Sequence, residues 1–229
     1  MKYGIIGAMD EEVMFLKDAM TNKKEETVAS VQFTKGEIFG KETVLLKSGI
    51  GKVNASMATT ILMERYKPTH VINTGSAGGF SSELNVGDVV VGEKIVHHDV
   101  DVTAFDYEYG QVPDMPESFL ADERLIAKTK EVLQHFGINN KIGLIATGDS
   151  FMNDPKRVAF LKEKFPDMLA SEMEGAAIAQ ICFQYDIPFV VVRALSDIAG
   201  EESSVTFNEF LQLAAENSSK LIKEIIAKN

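Results

Sequence analysis

Short β-branched apolar runs alternate along the chain with longer amphipathic stretches, the pattern of a sheet covered by helices, and this predicts an α/β fold. Residues 2–8 (KYGIIGA) read as a first strand, followed by a helix from Asp10 to about Met20. Segments 28–34 and 42–48 (ETVLLKS) read as strands joined by a turn around Phe39-Gly40-Lys41 and running antiparallel to each other. Gly49-Ile50-Gly51 then opens a helix, KVNASMATTILMERY, that ends before Pro68. Residues 70–76 (HVINTGS) and 86–97 (VGDVVVGEKIVH) read as two further strands, with the small-residue loop Ala77-Gly78-Gly79 between them.

The second half continues the alternation. Residues 103–117 (TAFDYEYGQVPDMPE) have no clear period and carry two prolines and three aromatics, which marks a long loop of the functional or mobile kind. Ser118 is a candidate cap for a helix that runs to Phe136 and stops at Gly137. Residues 141–146 (KIGLIA) read as a strand leading into Thr147-Gly148-Asp149-Ser150-Phe151, and a helix follows from Pro155. Residues 172–184 are almost wholly apolar and read as a buried helix, 189–197 as a central strand, and about 204–227 as a final amphipathic helix. No repeat, low-complexity tract or composition break divides the chain, so residues 1–229 read as a single domain.

Charge narrows the possible partners. Lys plus Arg number 23 against 34 Asp plus Glu, a net charge of −11, and the sequence pI is about 4.9. Such a field repels a polyanion, which argues against nucleic acid and against an anionic membrane surface. The single cysteine, Cys182, forms neither an internal disulfide nor a thiolate metal site on its own. Residues 1–9 run straight into Asp10-Glu11-Glu12 without an apolar core of signal-peptide length, and no stretch reaches the roughly 18 apolar residues of a membrane span, so a cytoplasmic location is expected.

Two phosphate motifs nearly form. Gly49-Ile50-Gly51-Lys52-Val53-Asn54 has Asn54 in place of the third glycine of a dinucleotide fingerprint, and the next strand ends in Gly75-Ser76-Ala77 rather than an acid. Gly36–Glu42 is one residue short of a P-loop, lacks its Ser or Thr, and reads as a hairpin turn. In His97-His98-Asp99-Val100-Asp101, alternation along a strand splits the candidate ligands between two faces, which favours a structural or interface role over a metal.

Three carboxylates at element ends are more informative. Glu12 falls in the first helical turn, where an acid complements a helix N-terminus; Asp10 and Glu11 would serve that purpose equally. Glu174 completes an apparent capping box, Ser171-Glu172-Met173-Glu174, yet it sits on an otherwise buried helix, where an acid needs a specific polar partner. Asp197 ends the most apolar strand, where α/β sheets bind ligands and where desolvation raises a carboxyl pKa.

GIIGAMDEE at the start, NTGSAGG at 73–79, HDVDVTAF at 98–105, ATGDSF at 146–151, SEMEGAA at 171–177 and RALSDIAG at 193–200 resemble the nucleoside phosphorylase superfamily, and within it the 5′-methylthioadenosine/S-adenosylhomocysteine nucleosidases. The resemblance spans the chain. It implies one α/β nucleosidase domain with a mixed, barrel-like central sheet surrounded by helices, working as a homodimer without a cofactor or metal. The implied reaction is hydrolysis of the N-glycosidic bond, releasing adenine and a 5-thio-substituted ribose.

By the same resemblance Asp197 protonates N7 of adenine, Glu12 activates the attacking water and Glu174 grips the ribose diol. Phe151 and Met152 sandwich and hydrogen-bond the base, with Ala199 on the same side and Ser196 orienting Asp197. Many relatives carry a branched aliphatic at the position of Met152, a small departure because the expected contact is through the main chain. Met173, Phe207, Ile50 and Met9 form an apolar wall for the alkylthio group, while Gly78, Ser76 and Ala77 let backbone groups approach the ribose and water. Val102, Phe105 and Pro113 reach the site of the neighbouring subunit.

Two rivals remain in view. A purine nucleoside phosphorylase needs cationic groups around phosphate, but the chain has only Arg65, Arg124, Arg157 and Arg193, and acids stand after the first strand. Arg193 reads as a partner for Glu172. A non-catalytic nucleoside-binding protein has no need of Glu12 and Asp197, both of which are present.

Overall fold

The apolar runs pair into one mixed sheet that closes on itself at one end. In the computed structural model, which describes residues 1–200 and 203–228, the strands are β1 (Lys2–Gly7), β2 (Thr21–Val28), β3 (Val31–Ile38), β4 (Lys41–Lys47), β5 (His70–Gly79), β6 (Val89–His97), β7 (Phe119–Leu120), β8 (Asn140–Thr147), β9 (Met168–Glu172) and β10 (Phe189–Ile198). The helices are α1 (Asp10–Ala19), α2 (Lys52–Tyr66), α3 (Glu123–Phe136), α4 (Pro155–Lys164), α5 (Gly175–Gln184) and α6 (Ser203–Ala227). The strand order is β10-β6-β8-β9-β5-β1-β4-β3-β2, and β10 also pairs with β5. Five strands thereby close into a barrel, from which β1, β4, β3 and β2 extend. The fold is the α/β, barrel-like one expected.

The turning point is β5. One edge pairs with β10 from Val71 to Gly79. The other pairs in parallel with β1 as far as Asn73, then in antiparallel with β9 at Gly78 and Gly79. Between these two partners the edge opens. Ligands of α/β sheets bind in such crevices beyond strand ends.

Two large apolar clusters cover most of the sheet, and a third, smaller one gathers Val96, Ala146 and Met168 around Met152 and Val158. Ala55, Ala58, Leu62 and Met63 of α2 and Ala176 to Ala179 of α5 belong to one, with Val71, Val191 and Leu195 of the sheet. Val13 and Leu16 of α1, Leu125, Val132 and Leu133 of α3, and Leu221, Ile222, Ile225 and Ile226 of α6 belong to the other, with Ile5, Ile72 and Val190. Burial of this kind contributes roughly 1.5–3 kcal/mol per large apolar side chain and fixes which face of each helix turns inward.

Several boundaries differ from those read off the pattern. β2 has no apolar face, because all but Val28 are exposed, so hydrophobic periodicity did not reveal it. It forms a hairpin with β3 through Ala29 and Ser30, both in left-handed conformation at φ 49° and 67°, and the expected strand at 28–34 straddles that turn. Ala77-Gly78-Gly79 is not a loop: it continues β5, since its backbone pairs with β9 and β10. The strand expected from 86 begins at Val89. Ser118 does not cap α3; β7 intervenes, and the Asp122 carboxylate accepts the Arg124 and Leu125 amides instead.

The largest correction concerns residues 168–174. Ser171 and Glu172 lie at the end of β9, paired with β8, rather than in a helical capping box. Helix α5 starts at Gly175 with Glu174 as its N-cap, and the Glu172 carboxylate accepts the Glu174 and Gly175 amides at 3.0 and 2.7 Å.

Candidate active site

A cavity of about 490 Å³ occupies the opening along β5. The turn after β1 brings Met9 and Glu12 to it, together with Ala8; β5 brings Ser76, Ala77 and Gly78; the β4–α2 connection brings Ile50. Phe151 and Met152 come from the segment after β8, Met173 and Glu174 from the β9–α5 turn, Ser196 and Asp197 from β10, and Phe207 from α6. Apolar side chains dominate this wall, and the Phe151 and Phe207 rings meet edge to face with centroids 5.9 Å apart. Such a lining suits a flat aromatic base and a thioether.

Glu12 is buried at the third position of α1. Its Oε2 accepts the Ala8 and Met9 amides at 2.7 and 3.2 Å, so it does cap its helix as its position suggested. Its Oε1 accepts the Ser76 amide at 3.0 Å and the Ser76 hydroxyl at 3.2 Å. The Ser76 amide lies in the stretch of β5 edge between β1 and β9, so a side chain supplies the acceptor there. Asp10 and Glu11 are exposed; Asp10 pairs with Lys47 at 2.8 Å.

Arg193 organises the acids beneath the cavity. Its Nη2 is bonded to Glu172, which also accepts from the Thr147 hydroxyl, and to Asn73 Oδ1 at 2.6 Å. Burial opposes ionisation of Glu172, but the Arg193 charge and these hydrogen bonds outweigh it and hold the carboxyl below its usual range. Glu174 accepts the Gly51 amide on Oε1 at 2.8 Å, and its Oε2 lies 4.0 Å from Arg193. Burial and then the Glu172 charge push the Glu174 carboxyl up to about 8; Arg193 and the Gly51 amide pull the other way.

The pairing of Arg193 with Glu172 is the one the sequence suggested. Both are fully enclosed, at 2% side-chain exposure each. Arg193→Met is expected to destabilise the fold by about 3–5 kcal/mol, because it leaves Glu172 buried without its counter-charge. Denaturant unfolding at pH 7 checks this, and a loss under 1 kcal/mol would show that Thr147 and the backbone amides suffice.

Gly75 explains how these groups crowd together. A Cβ at that position would sit 2.7 Å from Glu12 Oε1 and 3.1 Å from Arg193 Nη1, so only glycine leaves the space between them open. Arg193 Nη1 and Nε make no hydrogen bond among the described residues. The sequence suggested the Glu172–Arg193 pair but not its place beneath the cavity, and Gly75 was legible only as a motif position, since these contacts join strands far apart in sequence.

Asp197 reaches the cavity through a bulge. Leu195 pairs with Ala77 and Asp197 with Gly78, so Ser196 is an extra residue in β10. In a regular strand adjacent side chains point to opposite faces; the bulge re-aims them, and both Ser196 and Asp197 line the cavity. Ser196 Oγ donates to Asp197 Oδ1 at 2.8 Å. Burial pushes the Asp197 carboxyl above the usual range, and the Ser196 bond offsets only part of that.

Four expected site residues lie elsewhere. Ala199 is buried behind the wall, grouped with Met152 and Val158. Val102, Phe105 and Pro113 lie in the segment after β6, away from the cavity of their own chain, with Phe105 and Pro113 exposed. His97 Nε2 meets Gln180 Oε1 at 3.1 Å, and among the described residues no group of three or more His, Cys, Asp or Glu has the arrangement of a metal site. No described helix is long and apolar enough to cross a membrane.

The sequence pattern of the phosphorylase superfamily matches residues 2–227. The chain is 58% identical over 229 residues to 5′-methylthioadenosine/S-adenosylhomocysteine nucleosidase of Bacillus subtilis, covering 100% of this chain and 99% of that one. Its structure superposes with a TM-score of 0.98 on the nucleosidase of the same name from Neisseria meningitidis in complex with methylthio-immucillin-A, at 45% identity and covering 100% and 99% of the two chains. With the Colwellia psychrerythraea nucleosidase in complex with adenine the TM-score is 0.96, at 49% identity and covering 100% and 95%. A cavity at the split of β5, ringed by Glu12, Glu174 and Asp197, thus lies in a chain that belongs to the 5′-methylthioadenosine/S-adenosylhomocysteine nucleosidase family of the phosphorylase superfamily.

Proposed function

We propose that the chain hydrolyses the N-glycosidic bond of 5′-methylthioadenosine and S-adenosylhomocysteine, releasing adenine and a 5-thio-substituted ribose. The observation that carries this reading is the contrast among three acids around one apolar cavity: Asp197 biased towards holding a proton, Glu12 fixed by four donors, and Glu174 opposite Arg193. Adenine leaves poorly as an anion, so Asp197 donates to N7 as the bond breaks. Water held near Glu12 attacks the anomeric carbon and gives its proton to Glu12. The oxocarbenium-like transition state is positively charged on the sugar, and Glu12 and Glu174 stabilise that charge. Glu174 accepts the two hydroxyls of the ribose, and their donation favours its ionised form.

The base lies against Phe151 and bonds to the main chain at Met152. Met9, Ile50, Met173 and Phe207 enclose the alkylthio group. In a homodimer the Val102–Pro113 segment closes the partner's site, which accounts for an exposed Phe105. The protein works as one domain in the cytoplasm.

A phosphorylase would need free cationic groups at the position of the attacking water. No arginine lines the cavity among the described residues; Arg193 beneath it is already bonded to Glu172, and Glu12 adds negative charge. Incubation with 5′-methylthioadenosine in phosphate-free buffer, with chromatography for adenine, is expected to give full turnover that added phosphate leaves unchanged. Adenine appearing only with phosphate would select a phosphorylase, and binding without any adenine a nucleoside-binding protein.

A further inference from the structure

Helix α2 starts without a cap of its own. Its N-cap is Gly51 at φ +95°, which has no side chain to cap with, and no acid stands in its first turn. The leading amides of a helix lack partners within it and carry the positive end of its dipole. Two carboxylates from distant segments take them here. Glu174 Oε1 accepts the Gly51 amide at 2.8 Å, and Asp149 Oδ1 accepts the Lys52 amide at 2.7 Å.

Asp149 follows β8 and has no place in the chemistry described so far. It is itself held from two sides. Its amide donates to Asp99 Oδ2 at 3.0 Å, and Asp99 Oδ1 pairs with Lys52 Nζ at 2.5 Å. Asp149, Asp99 and Lys52 therefore form a closed ring around the first residue of α2. A Cβ on Gly51 would stand 3.0 Å from Asp149 Oδ1, so the loop glycine lets carboxylate and helix terminus approach.

We infer that Asp149 is a positioning residue for Glu174: by pinning the first turn of α2 it keeps the Gly51 amide on the Glu174 carboxylate and so aims that carboxylate into the cavity. The consequence for catalysis rests on the ribose role proposed for Glu174; the contact chain does not. The charged groups facing Glu174 are Glu172 from β9, Arg193 from β10 and Glu12 from α1, and α2 contributes the Gly51 amide. Arg193 is committed to Glu172 and stands 4.0 Å away, whereas the Gly51 amide is at 2.8 Å. That amide is the closest donor Glu174 has among the described residues. Without it the carboxylate swings freely and holds its proton more tightly, and a protonated carboxyl no longer accepts both hydroxyls of a ribose.

The test is a ¹³C NMR titration of the glutamate carboxyls in the whole protein, with Glu174 assigned from the spectrum of Glu174→Gln. In the wild type Glu174, pushed up to about 8 by burial and by the Glu172 charge, is expected to titrate well above the ordinary glutamate range. Asp149→Ala is expected to raise its proton affinity about tenfold, as loss of one hydrogen bond to a charged group does. Asp149→Asn keeps an acceptor oxygen for the Lys52 amide and is expected to restore most of the wild-type value. KM for 5′-methylthioadenosine should rise about tenfold in Asp149→Ala with a smaller change in kcat, and recover in Asp149→Asn. An unmoved Glu174 titration in Asp149→Ala, or an Asn variant as altered as the Ala variant, overturns the assignment. If Asp149→Ala does not fold, Lys52→Met removes the tie to Asp99 and must shift Glu174 in the same direction; no shift there overturns it equally. The expected titrations in a protein that releases no adenine would leave the positioning role standing and remove the proposed function.

Discussion

Asp197→Asn is expected to reduce adenine release from 5′-methylthioadenosine by about 10²–10⁴-fold, the range a positioned general acid contributes, while nucleoside binding changes little. The asparagine amide matches the carboxyl in shape and can still accept the Ser196 hydroxyl that now bonds Asp197 Oδ1 at 2.8 Å. What it lacks is a transferable proton. Burial of Asp197 holds its carboxyl above the usual range, so the acid stays protonated at a pH where an exposed aspartate is ionised. The wild-type rate should therefore fall as pH rises through that elevated value and protons leave Asp197, and the residual activity of the Asn variant should lack this limb. Single-turnover adenine release, paired with calorimetric binding of the nucleoside, measures both. Retention of more than a tenth of the wild-type rate would take the acid role away from Asp197.

Asp197 was legible as a candidate acid because the signal is local. An unbroken apolar run from Phe189 to Val192 predicts a central strand, and a carboxylate at its end predicts a desolvated acid. The bulge that turns Ser196 and Asp197 to the same cavity was not legible, since it depends on the register of β10 against β5. Helix α2 was equally plain, bounded by Gly51 and by Pro68. β2 was missed because all but one of its residues face solvent on both sides, which leaves no periodicity to detect. β9 was missed for another reason. Ser171-Glu172-Met173-Glu174 carries the local signature of a helix start, but strand pairing with β8 and the contacts of Glu172 with Arg193 and Thr147 override that preference.

The three acids show the same division. Each was identifiable as a residue, but the reading of Glu12 and Glu174 as helix caps competed with the reading as site groups. In the fold the two readings coincide for Glu12, whose two oxygens separate the tasks: Oε2 meets the backbone of its own helix and Oε1 faces β5. For Glu174 the cap runs the other way, with its carboxylate serving α2 while Glu172 serves α5.

Glu12→Gln is expected to be more damaging than its small change in shape suggests. Both oxygens of Glu12 accept from backbone amides, Oε2 from Ala8 and Met9 and Oε1 from Ser76. A glutamine must replace one oxygen by an NH₂ group, which sets donor against donor on whichever side it faces and leaves a buried amide without an acceptor. That costs about 1–3 kcal/mol of stability. The same substitution removes the base proposed for the attacking water, and a further loss of about 10²–10⁴-fold in turnover is expected. Because Asp197→Asn keeps its Ser196 contact, the two variants should separate: both fail to release adenine, but only Glu12→Gln unfolds at lower denaturant. A normal hydrolysis rate in Glu12→Gln would move water activation to another group. Unchanged stability with lost turnover would mean that the amides of Ala8 and Met9 find other acceptors, so that the capping contact and the catalytic one are energetically independent.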